Sequence, residues 1–319
     1  HSSDREVNIK IPLNQLLREG SLTRAVRDPF LAQMTDDLAR AVLRDSYVQS
    51  LAVSLLDRDA PARLDEHANL MRTLERDGLL SRAVEFLPDD EGLKERRACA
   101  QGLTRPELAV LVSYSKISLF DAIVKSDVPD DPFFDRDLLS YFPPAMVERH
   151  RDVLLKHRLR REIIATILSN AVVNRMGCSF AHRFAEDHGG DRAEVVKAYA
   201  MAHEIFGGDR YWLPIQALDG EVPAAVQLKL FGRAIGLMKH VTTWLLDYRW
   251  SARPIGDAVT AFHAGIGELS GLMPDVLPGG YRADWDKAVA GMKADGVPEP
   301  LAHQLANTMV LGSAPDIVE

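Results

Sequence analysis

The chain has 319 residues, 46% hydrophobic and 26% charged, which is enough apolar material to bury a core without metal or disulfide staples. Its formal net charge of -8 argues against the basic surface on which non-specific nucleic-acid binding rests. Cys99 and Cys178 stand far apart outside any CxxC pattern and read as reduced thiols of a cytoplasmic protein, while no apolar run reaches the roughly 20 residues of a membrane span and no signal peptide is visible.

Residues 4–11, DREVNIKI, alternate polar and apolar through Val7, Ile9 and Ile11, which predicts a short strand. Pro12 then opens a helical segment that ends at Gly20. From Thr35 the spacing of Leu38, Val42, Leu43, Leu51 and Leu56 predicts a long helix, with Asp36 and Asp37 complementing the dipole of its first turn. A second helical pattern covers 61–77 and stops at Gly78, and the stretch from Leu79 to Gly102 is shorter in period and more charged. Thr104-Arg105-Pro106-Glu107 is a capping box with Pro near the start, and it opens a helix to about Ser126. Further helices are predicted near 145–156, 158–176, 180–188, 192–206 and 222–249, with more after Pro254 separated by Pro274, Gly279-Gly280 and Gly296-Val297-Pro298. Gly232 and Gly236, four apart in the longest of these, suggest close helix packing.

Helices joined by short loops make this an all-α, multi-helix array or bundle. The lone N-terminal strand has nothing to pair with in such a fold. It reads as the end of a preceding α/β domain, so 1–11 would be the tail of one domain and 12–319 a helical domain. Candidate subdivisions of the helical domain lie near 102 and 250. The run Asp316 to Glu319 looks like a helix just starting, so the natural chain is expected to continue.

The stretch HRLRREIIATILSNAVVNRMG, His157 to Gly177, is apolar around most of its helical wheel and so reads as buried. Within it Glu162, Thr166, Asn170 and Asn174 form a polar ladder at i, i+4 spacing. A buried ladder must find partners, because an unpaired buried polar group costs about 1–3 kcal/mol.

Candidate chemistry is sparse. Asp127, Asp130, Asp131, Asp135 and Asp137 suggest the aspartate-rich magnesium site of isoprenoid synthases, but Pro132 places Asp130 and Asp131 at a helix start, where capping explains them without metal. The basic run from Arg149 through Arg158, Arg160 and Arg161 could clamp a regulatory anion, against the plainer reading of a solvated face paired with Glu148, Asp152 and Glu162. The histidines show no paired-ligand spacing, neither cysteine has an adjacent base, and neither nucleotide-binding glycine fingerprint occurs. The four tryptophans read as core anchors.

Three phrases carry a resemblance: LTRPELAVLVSYSKISLFDAIVKSD (Leu103 to Asp127), the His157–Gly177 stretch, and ALDGEVPAAVQ (Ala217 to Gln227). They closely resemble the C-terminal helical region of the large bacterial NAD-dependent glutamate dehydrogenases, and the likeness runs from residue 2 or 3 to the end. The opening SSDREVNIKI resembles the phrase that closes the family's dinucleotide-binding catalytic domain, although the family form carries a cysteine there. The resemblance implies oxidative deamination of L-glutamate by a longer chain. NAD would be bound by an upstream catalytic domain, and no catalytic residue would lie in this stretch, which is expected to be inactive alone. It implies two partners, that upstream domain and further copies in a homo-oligomer. Ser3 matches a serine that contacts the substrate's α-carboxylate, a task suited to a hydroxyl donor, or else it only caps a turn. A free-standing helical interaction or regulatory module is the alternative.

Overall fold

The structure, a computed structural model, describes residues 2–318, and the Ser2 side chain is outside that description. Pro12 sits inside a helix: α1 spans Ser2–Arg18. The strand expected over 4–11 is therefore corrected. Burial along α1 follows helical spacing, with Ile9, Pro12 and Leu13 inside and Val7 53% exposed. An alternating triplet cannot hold a strand when no partner strand exists among the described residues, whereas a helix satisfies its backbone internally.

Among the described residues there are seventeen α-helices, and none is both long and apolar enough to cross a membrane. The all-α expectation holds. The chain divides into two compact units, His1–Ser179 and Phe180–Glu319, so the candidate boundaries near 102 and 250 fall inside units.

The first unit continues with α2 (Arg24–Gln33), α3 (Thr35–Arg58), α4 (Leu64–Arg76), α5 (Asp90–Ala98), α6 (Arg105–Lys125), α7 (Asp135–Ser140), α8 (Pro144–Leu155) and α9 (Arg160–Met176). Its centre is the packing of α6 on α9, with α3 against both. Each of the two buries small residues beside large ones, Ser115 and Ser118 on α6 and Ala165 and Ser169 on α9, which lets the backbones approach. Leu111, Leu119 and Ile123 of α6 and Ile164, Leu168 and Val172 of α9 are all buried. Each such side chain contributes about 1.5–3 kcal/mol when fully buried. The capping box of α6 forms as expected, with the Thr104 N–H donating to Glu107 Oε2 at 2.7 Å. Arg96 of α5 reaches the same carboxylate at 2.6 and 2.7 Å and donates to the Gly102 carbonyl. Gly102 is needed for closeness, because a Cβ there would lie 2.3 Å from the Ala60 backbone. Helix α9 ends at Gly177, whose φ of +95° is a conformation that side chains disfavour.

The polar ladder on α9 is not uniformly buried. Thr166 is exposed and back-bonds to the Glu162 carbonyl at 2.8 Å, Glu162 and Asn170 are half-buried, and only Asn174 is buried. The ladder is a boundary stripe that enters the core at its C-terminal end.

The second unit comprises α10 (Phe180–His188), α11 (Arg192–Ile205), α12 (Gly208–Gln216), α13 (Ala224–Asp247), α14 (Ile255–Val276), α15 (Gly279–Ala294), α16 (Glu299–Asn307) and α17 (Ala314–Val318). Helix α11 is central, with α10, α12, α13 and α14 packed around it. Asp191 starts it by accepting from the Ala193 and Glu194 N–H groups at 2.6 and 2.9 Å. All four tryptophans are buried in this unit. Trp212 packs on Phe231, and Trp244 and Trp250 pack edge-on against Phe262. Gly236 has open space where a Cβ would go, so close packing does not account for it.

Candidate functional site

Ser3 lies in the first turn of α1 and is exposed. The rest of that helix is fastened to three other elements of its unit. Arg5 donates through Nε to Asp45 Oδ2 of α3 at 2.9 Å and through Nη1 to the Tyr141 carbonyl at 2.9 Å, with its guanidinium 4.5 Å from the centre of the Tyr141 ring. Asn8 donates through Nδ2 to the Tyr141 hydroxyl at 3.0 Å.

The fourth contact follows from the sequence of α1 itself. Pro12 has no N–H, so the carbonyl of residue 8, four positions earlier, loses its helical donor. The His157 Nε2 lies 3.0 Å from the Asn8 oxygen. The Leu159 N–H donates to His157 Nδ1 at 3.0 Å. A ring nitrogen that accepts bears no proton, so in the neutral imidazole Nε2 carries the hydrogen and donates to Asn8. His157 is 5% exposed. Burial pushes its pKa below the ordinary value, and the bond to the Asn8 carbonyl offsets part of that.

Two arginines of the basic run are already engaged. Arg160 donates to Asp135 Oδ1 at 2.8 Å and to the Pro129 carbonyl. Arg161 pairs with Asp130 and donates to the Val124 and Ser126 carbonyls at 2.8 and 2.7 Å, which satisfies the end of α6. Arg158 is exposed. The same contacts account for part of the aspartate cluster, and Asp131 caps the following turn by accepting from the Phe133 N–H at 2.9 Å. Among the described residues no group of three or more His, Cys, Asp or Glu side chains could hold a metal ion.

The histidines of the second unit pair locally, His188 with Asp247 at 2.9 Å and His203 with Asp209 at 3.4 Å. Cys99 is exposed, and burial pushes the Cys178 thiol up to about 12, which removes its nucleophilic form.

Two titratable groups escaped the sequence reading. Burial pushes the Lys116 ammonium on α6 down to about 8, against the pull of Asp45. His67 on α4 is fully buried and pushed down to about 4 by burial. Lys116 left a signal, a lone cation in the apolar run VLVSYSKISLF; His67, between Glu66 and Ala68, left none.

Residues 100–319 match the family model described as glutamate dehydrogenase, C-terminal, and residues 1–56 match the model described as bacterial NAD-glutamate dehydrogenase, catalytic domain. Three similar proteins are each called NAD-specific glutamate dehydrogenase: from Pseudomonas aeruginosa, 40% identical over 317 residues; from Halomonas elongata, 36% over 317; and from Mycobacterium tuberculosis, 33% over 316. Each match covers 99% of this chain, and the chain spans about a fifth of each relative.

Proposed function

This chain belongs to the glutamate dehydrogenase C-terminal family, and we propose that it is the helical end of an NAD-dependent enzyme that oxidatively deaminates L-glutamate. The products are 2-oxoglutarate and ammonia, and the hydride passes to NAD. The observation that carries this reading is the similarity along 99% of the chain to proteins of that name from three separate bacteria.

The described residues do not themselves fit the dinucleotide. Such a site needs a strand, a glycine-rich turn and a helix N-terminus in sequence, and no strand occurs among them. On this reading NAD and the bond-breaking residues belong to a catalytic domain upstream of this chain. The helical region serves structure, assembly or regulation and is inactive alone. Ser3 is its one substrate contact, donating to the α-carboxylate. The setting is cytoplasmic and the assembly a homo-oligomer, with neither nucleic acid nor membrane as partner.

The test is NADH formation from glutamate and NAD by the full-length protein and by the 319-residue chain. Activity in the first and none in the second is expected. A full-length protein inert toward glutamate would overturn the assignment, and activity in the chain alone would overturn its division of labour.

A further inference from the structure

We propose that His157, Arg5 and Asp45 are positioning residues that set the pose of α1, and with it Ser3, through the carbonyl that Pro12 leaves free on Asn8. This rests on the reading of Ser3 as the contact to the substrate's α-carboxylate. The geometry is independent of that reading. A proline within a helix exposes one carbonyl, and a carbonyl away from bulk water requires a donor. The donor here comes from a residue 149 positions away, and its tautomer is set by the Leu159 N–H. Asp45 and Tyr141 hold Arg5 two residues beyond Ser3, so the first turn of α1 is fixed on one side by an ion pair and a carbonyl, and its second turn by the imidazole and the Tyr141 hydroxyl. Three separate elements thus converge on about two turns of helix.

None of these groups need touch substrate. Displacing a donor by even about 1 Å weakens a directed contact steeply, so loosening the clamp is expected to act on glutamate binding and not on NAD.

The experiment uses the full-length protein and reads KM for glutamate, KM for NAD and kcat separately. Ser3→Ala is expected to raise the glutamate KM about tenfold, the loss of one hydrogen bond to a charged group. His157→Ala is expected to raise it about three- to tenfold with the NAD KM unchanged, and His157→Gln, which restores an N–H, to recover most of the loss. Pro12→Ala supplies the missing helical donor to Asn8, so the effect of His157→Ala should shrink in that background, a coupling that a merely structural histidine would not show.

If Ser3→Ala leaves the glutamate KM unchanged, the substrate contact is wrong and the proposal falls with it. If Ser3→Ala raises it while His157→Ala does not, the contact stands and the positioning role is overturned. Should His157→Ala fail to fold, Asp45→Asn, which keeps the shape and loosens Arg5, decides in its place: a raised glutamate KM supports the clamp and an unchanged one overturns it.

Discussion

His67→Leu is expected to make this protein more stable and to remove part of its acid sensitivity. His67 lies on the inner face of α4, fully buried, and among the described residues neither ring nitrogen has a hydrogen-bond partner. Burial is the largest influence on it; Glu66 pulls its pKa up and Arg63 pushes it down, with a net value of about 4 against an ordinary 6.5. The folded state thus takes up the proton later than the unfolded chain does. Stability from neutral His67 is complete above the ordinary value and falls as pH drops through the interval between 6.5 and about 4. Each pH unit in that interval removes about 1.4 kcal/mol, so roughly 3 kcal/mol is lost across it. At neutral pH the unpaired ring nitrogens cost about 1–3 kcal/mol, which a leucine of similar volume would recover. Urea unfolding of both proteins, followed from pH 7 to about 4.5, isolates the effect, because His150, His157 and the depressed carboxylates Glu75 and Glu107 contribute equally to each. Equal pH dependence in the two proteins would refute the reasoning, as would a variant weaker than the parent at pH 7.

Gly102→Ala is expected to destabilise the first unit by at least about 1–3 kcal/mol, since the added carbon meets the Ala60 backbone rather than a movable side chain; a thermal melt checks it. Trp285→Phe removes the donor that Asn307 Oδ1 accepts at 2.8 Å in a buried site, and a loss of about 1–3 kcal/mol should appear in the unfolding of the second unit. Native-state alkylation followed by mass spectrometry should label Cys99 and spare Cys178, and labelling of both at similar rates would contradict the buried placement.

What was legible in the sequence is what depends on neighbours a few residues apart. The capping box at Thr104 and Glu107 fixed the start of α6, and the apolar wheel from His157 to Gly177 located α9 to within two residues. Residues 4–11 are ambiguous in sequence because three alternating apolar residues fit either period, and only the burial of Ile9 and Leu13 decides for the helix. Ladder burial failed for a similar reason, since spacing tells which residues share a face but not how far that face enters the core. Ser3 came from resemblance alone. The contacts that fasten its helix lie 40 to 149 residues away and leave no local pattern, although Pro12 in a helical stretch was a sign that some distant donor would be needed.

That distance also orders events during synthesis. When α1 is made, the Asn8 oxygen has only water to bond, because its donor lies 149 residues further along the chain than Asn8 itself. At about 5–20 residues per second this interval lasts on the order of 10–30 seconds. Throughout it the first helix is a nascent segment broken by Pro12, and the pieces on either side of the proline are each too short to hold as isolated helices in water. Its consolidation therefore belongs to the last steps of assembling the first unit, and chaperone binding or amide exchange at residues 5–13 should persist until the chain has passed residue 159.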